Sequence, residues 1–210
     1  MENKKSHWDS VYQTKSFESV SWFQSVPETS IQFFEEMNLH KDAHIIDIGA
    51  GESHFVDYLM ATGYTNITLV DISEEALERT RQRLGNTGTN LKYIVADVGS
   101  FIPTQNYDFW HDRATFHFLT DAPQINHYLD NVKKFLNPNG HFLIGTFDED
   151  GPTKCSGLEI KQYSESSLTQ LLNQFLKKVR CLNQEHLTPF GTFQKFIFCY
   201  FRKPEIVFKY

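Results

Sequence analysis

The chain has 210 residues, of which 40% are hydrophobic, and its formal net charge is −6. A chain of this length can bury one core, so a single domain over 1–210 is expected, and no apolar run reaches the roughly 18 residues of a membrane span. The negative charge argues against a nucleic-acid partner, because phosphate contacts need clustered Lys and Arg, and three cysteines without a C-x-x-C spacing favour reduced thiols in a cytoplasmic protein.

Strand-like and helix-like segments alternate along most of the chain, which predicts a parallel sheet with helices on both faces. The first 40 residues are expected to form a helical cap ahead of a core at 41–203. We expect strands near 43–48, 66–71, 91–96, 106–112 and 140–147, and helices at 53–62, 74–84 and 122–136. A further helix over 164–175 is followed by strand runs at 178–187 and 193–203. The short turn between these two runs predicts an antiparallel pair.

A glycine-rich turn follows the first predicted strand. Gly49 and Gly51, with Ala50 between them, let the backbone turn sharply and lie against a ligand. A dinucleotide site would place a third small residue at position 54, but the chain has His54 there. Asp47, just before the turn, would repel a pyrophosphate and suits a cationic ligand. The turn therefore favours a positively charged ligand, with a nicotinamide dinucleotide as the alternative.

Acidic residues end the next two predicted strands. Asp71 lies 20 residues after Gly51 (71 − 51), the spacing at which a carboxylate can hold the two hydroxyls of a ribose. Asp97 ends the third strand, where its side chain and the following backbone at Val98 can read an adenine. A ligand with a ribose, an adenine and a positive charge is S-adenosylmethionine, which is therefore the expected cofactor.

Taken together, these residues resemble the class I S-adenosylmethionine-dependent methyltransferases. The run from Asp47 to Gly51 resembles their first motif, Asp71 their ribose-binding acid, and Asp97-Val98 their adenine-reading pair. The resemblance covers about residues 40–203 and implies a Rossmann-like seven-stranded sheet with a C-terminal antiparallel hairpin. The cofactor-binding residues that we expect on this basis are Tyr12, Trp22, Asp47, Gly49, Ala50, Gly51, Asp71, Ile72, Asp97 and Val98.

The fourth strand ends in His111, Asp112 and Arg113, at the edge where open sheets bind ligands. We expect these three residues to be catalytic, with Asp112 orienting the donor or acceptor and Arg113 pairing with an acidic group on the substrate. The alternative is that Asp112 and Arg113 pair with each other or cap the next helix. The cluster is similar to that of the thiopurine S-methyltransferase-like branch, whereas an N-terminal Trp8/Tyr12 pattern is similar to small lysine methyltransferases.

Methyl transfer from a sulfonium is an in-line displacement, which positioning alone can promote. A general base is therefore optional; His117 is one candidate, although a histidine between two phenylalanines is typical of a packed core. The expected acceptor is a small molecule with a thiol, another heteroatom or an amine. The alternatives are a protein lysine acceptor and a non-catalytic regulatory protein that binds the cofactor. No metal site is expected, because no His/Asp/Glu cluster has ligand spacing.

Overall fold

The computed structural model describes residues 2–205. Its six α-helices are α1 (Glu2–Thr14), α2 (Glu28–Met37), α3 (Phe55–Ala61), α4 (Glu74–Leu84), α5 (Ala122–Phe135) and α6 (Glu165–Leu172). Its nine strands are β1 (Ile45–Ile48), β2 (Ile67–Asp71), β3 (Lys92–Val95), β4 (Tyr107–Arg113), β5 (Leu136–Phe147), β6 (Lys154–Cys155), β7 (Leu158–Glu159), β8 (Lys177–Leu187) and β9 (Phe193–Arg202).

Seven of these strands form one sheet in the order β3-β2-β1-β4-β5-β9-β8. Strands β1 to β5 run parallel, β9 is antiparallel to β5, and β8 is antiparallel to β9. This architecture confirms the predicted seven-stranded sheet with its C-terminal hairpin. The two-residue strands β6 and β7 form a separate small hairpin that the sequence did not predict.

The sheet buries an apolar layer on each face. On one face, Trp110 packs with Tyr128 of α5 and Leu168 of α6. On the other face, Phe109 packs with Phe33 of α2 and Phe55 of α3. Because helices cover both faces of the central parallel strands, the accessible positions on these central strands are at their ends. The carboxyl ends of β1, β2, β4 and β5 therefore meet at one edge, and the start of the antiparallel β9 lies there too.

The helices around this edge begin where the sequence predicts. Ser73 caps α4, accepting a hydrogen bond from the Ala76 N–H at 3.3 Å. Ser164 caps α6 in a capping box with Ser167. These short polar side chains satisfy N–H groups that a helix end leaves without partners.

Two of the three cysteines are paired, so the expectation of three reduced thiols is wrong. Cys181 and Cys199 form a disulfide between β8 and β9. They lie directly opposite each other in the antiparallel register, with a Cα–Cα distance of 4.1 Å. Their spacing in the sequence gave no signal, because the pairing depends on the hairpin register. Cys155 is free and buried. The cysteines therefore give no support to a cytoplasmic location.

Candidate active site at the carboxyl edge of the sheet

The glycine turn after β1 adopts a backbone that L side chains disfavour. Gly49 has a φ of 64° and Gly51 a φ of 50°. A Cβ on Gly49 would lie 1.6 Å from Oγ1 of Thr115, and a Cβ on Gly51 would lie 2.5 Å from the hydroxyl of Tyr12. Both positions therefore need glycine. The groups that approach them most closely are side chains of the protein itself.

Asp71 is held rigidly at the end of β2. Its Oδ2 accepts a hydrogen bond from the Gly51 N–H at 2.9 Å, and its Oδ1 accepts one from the Ser73 N–H at 2.8 Å. Burial raises the pKa of this carboxyl to about 6, although hydrogen bonds from the backbone of Ser73, Gly51 and Ile72 favour its ionised form. Asp71 is thus a buried acid, fixed beside the glycine turn and ionised at neutral pH.

Asp97 follows β3, which is the neighbour of β2 in the sheet, and Asp71 is the last residue of β2. Its Oδ1 accepts a hydrogen bond from the Gly99 N–H at 2.9 Å, which fixes the turn after it. Ile72 and Val98 lie in the same cavity wall as the two acids. Two carboxylates and two apolar residues therefore share one wall.

The main cavity at this edge is partly open to solvent. Its lining residues come from α1, the segment before α2, the strand ends and the C-terminal hairpin: Lys4, Trp8, Tyr12, Trp22, Gly49, Asp71, Ile72, Ala96, Asp97, Val98, Arg113, Ala114, Thr115, Phe118, Leu119, Phe147, Cys155 and Phe196. A smaller side chamber adjoins the glycine turn, and Asp47, Ala50, Gly51 and His111 are among its lining residues. Tyr12, Trp22, Gly49 and Arg113 line both spaces.

Three buried polar side chains beside the side chamber, Asp47, His111 and Ser30, are linked by hydrogen bonds. Nδ1 of His111 lies 2.6 Å from Oδ1 of Asp47, and its Nε2 lies 2.9 Å from Oγ of Ser30. Asp47 and His111 are register partners on β1 and β4, so their side chains leave the sheet on the same face. The Asp47 carboxylate is therefore already paired within the protein.

Asp112 is the one predicted site residue that lines neither space. Its Oδ1 accepts hydrogen bonds from the N–H groups of Thr115 and Phe116 at 3.2 and 3.1 Å. Its Oδ2 accepts a 2.7 Å hydrogen bond from the Tyr128 hydroxyl, and burial raises its pKa to about 6. This geometry matches the capping alternative: Asp112 fixes the short 3₁₀ turn at Phe116–Phe118.

Arg113 lies in the wall between the main cavity and the side chamber. Its two terminal nitrogens donate to the main-chain carbonyl of Trp22 at 3.2 and 3.1 Å. Its buried Nε has no hydrogen-bond partner among the described residues. Burial lowers the pKa of the guanidinium to about 10, so it stays cationic at neutral pH. Arg113 and Asp112 do not pair with each other.

Aromatic rings close the main cavity opposite the glycine turn. The Trp8 ring centre lies 5.6 Å from that of Trp22 and 5.2 Å from that of Phe118. Phe147 ends β5 and is the register partner of Phe196 on β9, and their ring centres are 4.6 Å apart. Phe118, Phe147 and Phe196 were not among the site residues predicted from the sequence. Phe147 ends a parallel strand just as Asp71 does, a signal that could have identified it.

Two histidines named from the sequence lie outside both spaces. His117 is fully buried, stacks on Phe147 at 4.6 Å, and has no partner for either ring nitrogen among residues 2–205. Burial lowers its pKa to about 3, which makes it a poor base. His54 contacts the Ser25 carbonyl through Nδ1 at 2.9 Å. Within the described part of the chain, no helix is long and apolar enough to cross a membrane, and no cluster could hold a metal ion.

Comparison with known proteins finds methyltransferases. The chain is 29% identical over 157 residues to EEF1A lysine methyltransferase 2 of Danio rerio, covering 67% of this chain and 66% of that protein. It is 26% identical over 104 residues to nodulation protein S of Rhizobium tropici, covering 50% and 43%. The chain thus spans two thirds or less of the length of these curated relatives.

A solved structure shares the fold: the 1,6-didemethyltoxoflavin-N1-methyltransferase of Burkholderia thailandensis, with bound 1,6-didemethyltoxoflavin and S-adenosylhomocysteine. Its TM-score is 0.70 at 19% identity, covering 96% of this chain and 88% of that one. The methyltransferase domain model matches residues 39–193, most of the chain. These findings confirm the resemblance inferred from the sequence. The chain belongs to the methyltransferase domain family.

Proposed function

We propose that this protein transfers a methyl group from S-adenosylmethionine to a heteroatom of a small-molecule acceptor. The observation that carries the proposal is one cavity with two unlike halves. Asp71 and Asp97 lie in one half, and aromatic rings with Arg113 form the other. A polar nucleoside and an apolar acceptor need such different surroundings side by side.

The residues of the first half fit the cofactor. The Asp71 oxygens accept backbone N–H groups of Gly51 and Ser73, and a carboxylate with about four lone-pair sites could still accept the two ribose hydroxyls. Asp97, Ile72 and Val98 would hold the adenine between polar and apolar groups. Tyr12 and Trp22 would offer aromatic faces to the positive charge. When bound, S-adenosylmethionine supplies an electrophilic methyl group on a sulfonium.

The protein's own part in the reaction is to position the acceptor and exclude water. Trp8, Trp22, Phe118, Phe147 and Phe196 make the second half apolar. Holding two reactants in line can contribute several kcal/mol without acid or base catalysis. Burial raises the pKa of the Cys155 thiol to about 12, so this thiol stays protonated and is not a nucleophile. Asp112, behind the wall, and His111, in the lining of the side chamber, act as positioning residues.

A protein lysine is the second candidate acceptor. It is supported by the 29% identity to a protein named as a lysine methyltransferase. The cationic Arg113 in the cavity wall disfavours it, because a lysine ammonium entering the cavity would be repelled. A regulatory protein that binds the cofactor without turnover is the remaining alternative.

The test is a labelling experiment with a binding control. Calorimetry with S-adenosylhomocysteine on the wild type and on Asp71→Asn tests the cofactor site, and we expect binding to fall at least about tenfold in the variant. The protein is then incubated with methyl-labelled donor and a cell extract separated into small-molecule and protein fractions. Label in the small-molecule fraction supports the proposal. Label in protein alone supports the lysine alternative, and binding without any label supports the regulatory one.

A further inference from the structure

Three large apolar side chains are exposed to solvent at the turn between β8 and β9, in residues 187–193, which we call the hairpin tip. Leu187 is 56% exposed, and Phe190 and Phe193 are each 64% exposed. Leu187 and Phe193 are register partners, so their side chains lie side by side on one face of the hairpin, and Phe190 lies in the turn between them. Single exposed apolar residues are ordinary in proteins, whereas a cluster of them indicates a contact surface.

The hairpin tip extends beyond the rest of the sheet. The last register partners of β5 and β9 are Phe147 and Phe196, and β9 begins three residues earlier, at Phe193. A strand rises about 3.3 Å per residue, so the paired part of the hairpin continues for about 10 Å past the end of β5, and the turn lies further out. The tip therefore projects from the carboxyl edge of the sheet, where Phe196 lines the cavity.

The backbone of the turn is already hydrogen-bonded within the turn. The N–H of Thr188 donates to the Thr192 carbonyl at 2.8 Å, and the N–H of Gly191 donates to the Thr188 carbonyl at 3.0 Å. The N–H groups of Phe190 and Thr192 each donate to Oγ1 of Thr188 at 3.3 Å, and the two threonine hydroxyls are 2.8 Å apart. Pro189 has no N–H. Because a backbone donor that leaves water needs another partner, this turn can enter an apolar phase at little cost.

The hairpin tip carries no charged side chain. Residues 187–194 contain no Asp, Glu, Lys or Arg, and the charged residues next to them are Glu185 and Lys195, which are register partners of opposite sign. Lys195 also lies 3.7 Å from Asp150. Burial lowers the pKa of His186, so its ring is neutral at pH 7. An anionic lipid surface attracts clustered Lys and Arg, and this part of the protein has no excess of them.

These properties suit a lipid layer better than a protein partner. A protein would have to offer a pocket fitted to the tip, and protein interfaces normally surround their apolar centre with a polar rim. The tip offers no charge to such a rim. A fluid lipid layer closes around a projecting apolar turn without a fitted pocket, and the binding strength depends on the apolar area that leaves water.

We propose that the hairpin tip inserts into the surface layer of a membrane made of electrically neutral phospholipids. Leu187, Phe190 and Phe193 enter the layer, while Glu185 and Lys195 remain in water and limit the depth. Such binding is independent of methyl transfer and goes beyond the proposed function. It also holds the cavity next to the phase in which apolar small molecules concentrate.

The test measures partitioning of the full-length protein onto vesicles of phosphatidylcholine, a zwitterionic lipid, by sedimentation. We expect the double variant Phe190→Ser/Phe193→Ser to partition at least about tenfold more weakly than the wild type, because it lacks most of the apolar area that insertion buries. Val179→Ser is the matched control, since Val179 is 51% exposed on the same strand but lies far from the tip, and it should partition as wild type. Adding phosphatidylserine to the vesicles should change partitioning by less than about twofold.

A fluorescent side chain shows whether the tip itself enters the lipid. Phe190→Trp places an indole in the turn, and Val179→Trp places one at the other end of β8. With brominated phosphatidylcholine, which quenches tryptophan by contact, we expect additional quenching over the wild type in Phe190→Trp but not in Val179→Trp. The wild type supplies the baseline for the three native tryptophans. Equal quenching of the two variants would show that the tip does not insert.

Four results would overturn the proposal. The wild type could fail to partition onto phosphatidylcholine, or it could partition no more strongly than the double variant. Binding that requires phosphatidylserine would show an electrostatic attachment elsewhere on the surface. A dimer of the wild type in lipid-free sedimentation equilibrium, absent from the double variant and without vesicle binding, would assign the tip to a second copy of the chain.

A cofactor titration separates this result from the proposed function. Phe190 and Phe193 do not line the cavity, so S-adenosylhomocysteine should bind the double variant and the wild type with affinities within about twofold of each other. Loss of vesicle binding with intact cofactor binding is therefore the result expected for the double variant. Failure of the wild type to bind S-adenosylhomocysteine would refute the proposed function and leave the vesicle result standing.

Discussion

The hydroxyl of Ser73 donates a 2.7 Å hydrogen bond to Asp9, and this contact joins α1 to the first turn of α4. Ser73 is also two residues from Asp71, whose Oδ1 accepts its N–H. The helix that brings Trp8 and Tyr12 to the cavity is therefore fixed next to the acid that ends β2. Ser73 thus holds both α1 and Asp71 in place at the cavity.

Loss of the hydrogen bond between Ser73 and Asp9 should weaken cofactor binding. In Asp9→Ala, Ser73 loses its acceptor and Lys5 loses its 2.6 Å partner, so α1 should open more often. A hydrogen bond to a charged group contributes about 1.5–3 kcal/mol, so the affinity for S-adenosylhomocysteine should fall about tenfold or more. Calorimetry measures the affinity, and Ser10→Ala on the same helix is the control. Unchanged affinity in Asp9→Ala would show that α1 does not contribute to the site.

The donor affinity should depend on pH through Asp71. Its pKa is raised to about 6, and ribose hydroxyls donate stronger hydrogen bonds to the ionised carboxylate than to the protonated acid. Above pH 6 Asp71 is mostly ionised and can accept hydrogen bonds from the ribose. Below pH 6 Asp71 must first release a proton, so the affinity for the cofactor should fall by up to about tenfold per pH unit. Titrations with S-adenosylhomocysteine between pH 5 and 8 check this. Asp71→Asn should bind weakly with a flat profile, and a flat profile for the wild type would contradict the assignment.

Asp112 should matter for stability more than for binding. Asp112→Asn cannot accept three hydrogen bonds, so we expect a loss of about 1–3 kcal/mol in the free energy of unfolding. Tyr128→Phe removes one of the three hydrogen bonds and should lower the free energy of unfolding by a smaller amount. Urea unfolding followed by fluorescence measures both. A variant of normal stability that has lost turnover would restore the interpretation first made from the sequence, in which Asp112 contacts donor or acceptor.

Gly49 should tolerate no side chain. In Gly49→Ala the new methyl group would overlap Thr115, and the positive φ adds strain. Gly191→Ala is the matched control, since Gly191 has a φ of 74° but nothing within 4 Å of its added Cβ. The control should lose about 1–2 kcal/mol, and Gly49→Ala at least about 1–3 kcal/mol more. Thermal unfolding of the two variants measures the difference, and equal losses would mean that Thr115 moves aside easily.

The features predicted correctly from the sequence are local ones. The strand at 44–48, the bend at Gly49 and the acid at Asp71 each follow from a few adjacent residues, since periodicity and backbone freedom act over short distances. The cap of α4 at Ser73 is of the same kind. Parallel strands then bring these ends together without any further information.

The features that the sequence left open depend on distant pairings. The contact of Arg113 with the Trp22 carbonyl joins residues 91 apart, and Phe147 meets Phe196 only through the register of β5 and β9. The disulfide of Cys181 and Cys199 needs the hairpin register as well. Asp112 shows a further limit. A carboxylate at a strand end looks the same in the sequence whether it faces a ligand or caps a turn.

The pairing of Phe147 with Phe196 places the C-terminal hairpin beside the cavity. The residues that suit the nucleoside come before position 100, whereas these two rings come from the last third of the chain. Under the proposed function, mutations in the hairpin would therefore alter the choice of acceptor while leaving the residues that suit the methyl donor unchanged. Such a layout would give natural variation a direct route to new substrates.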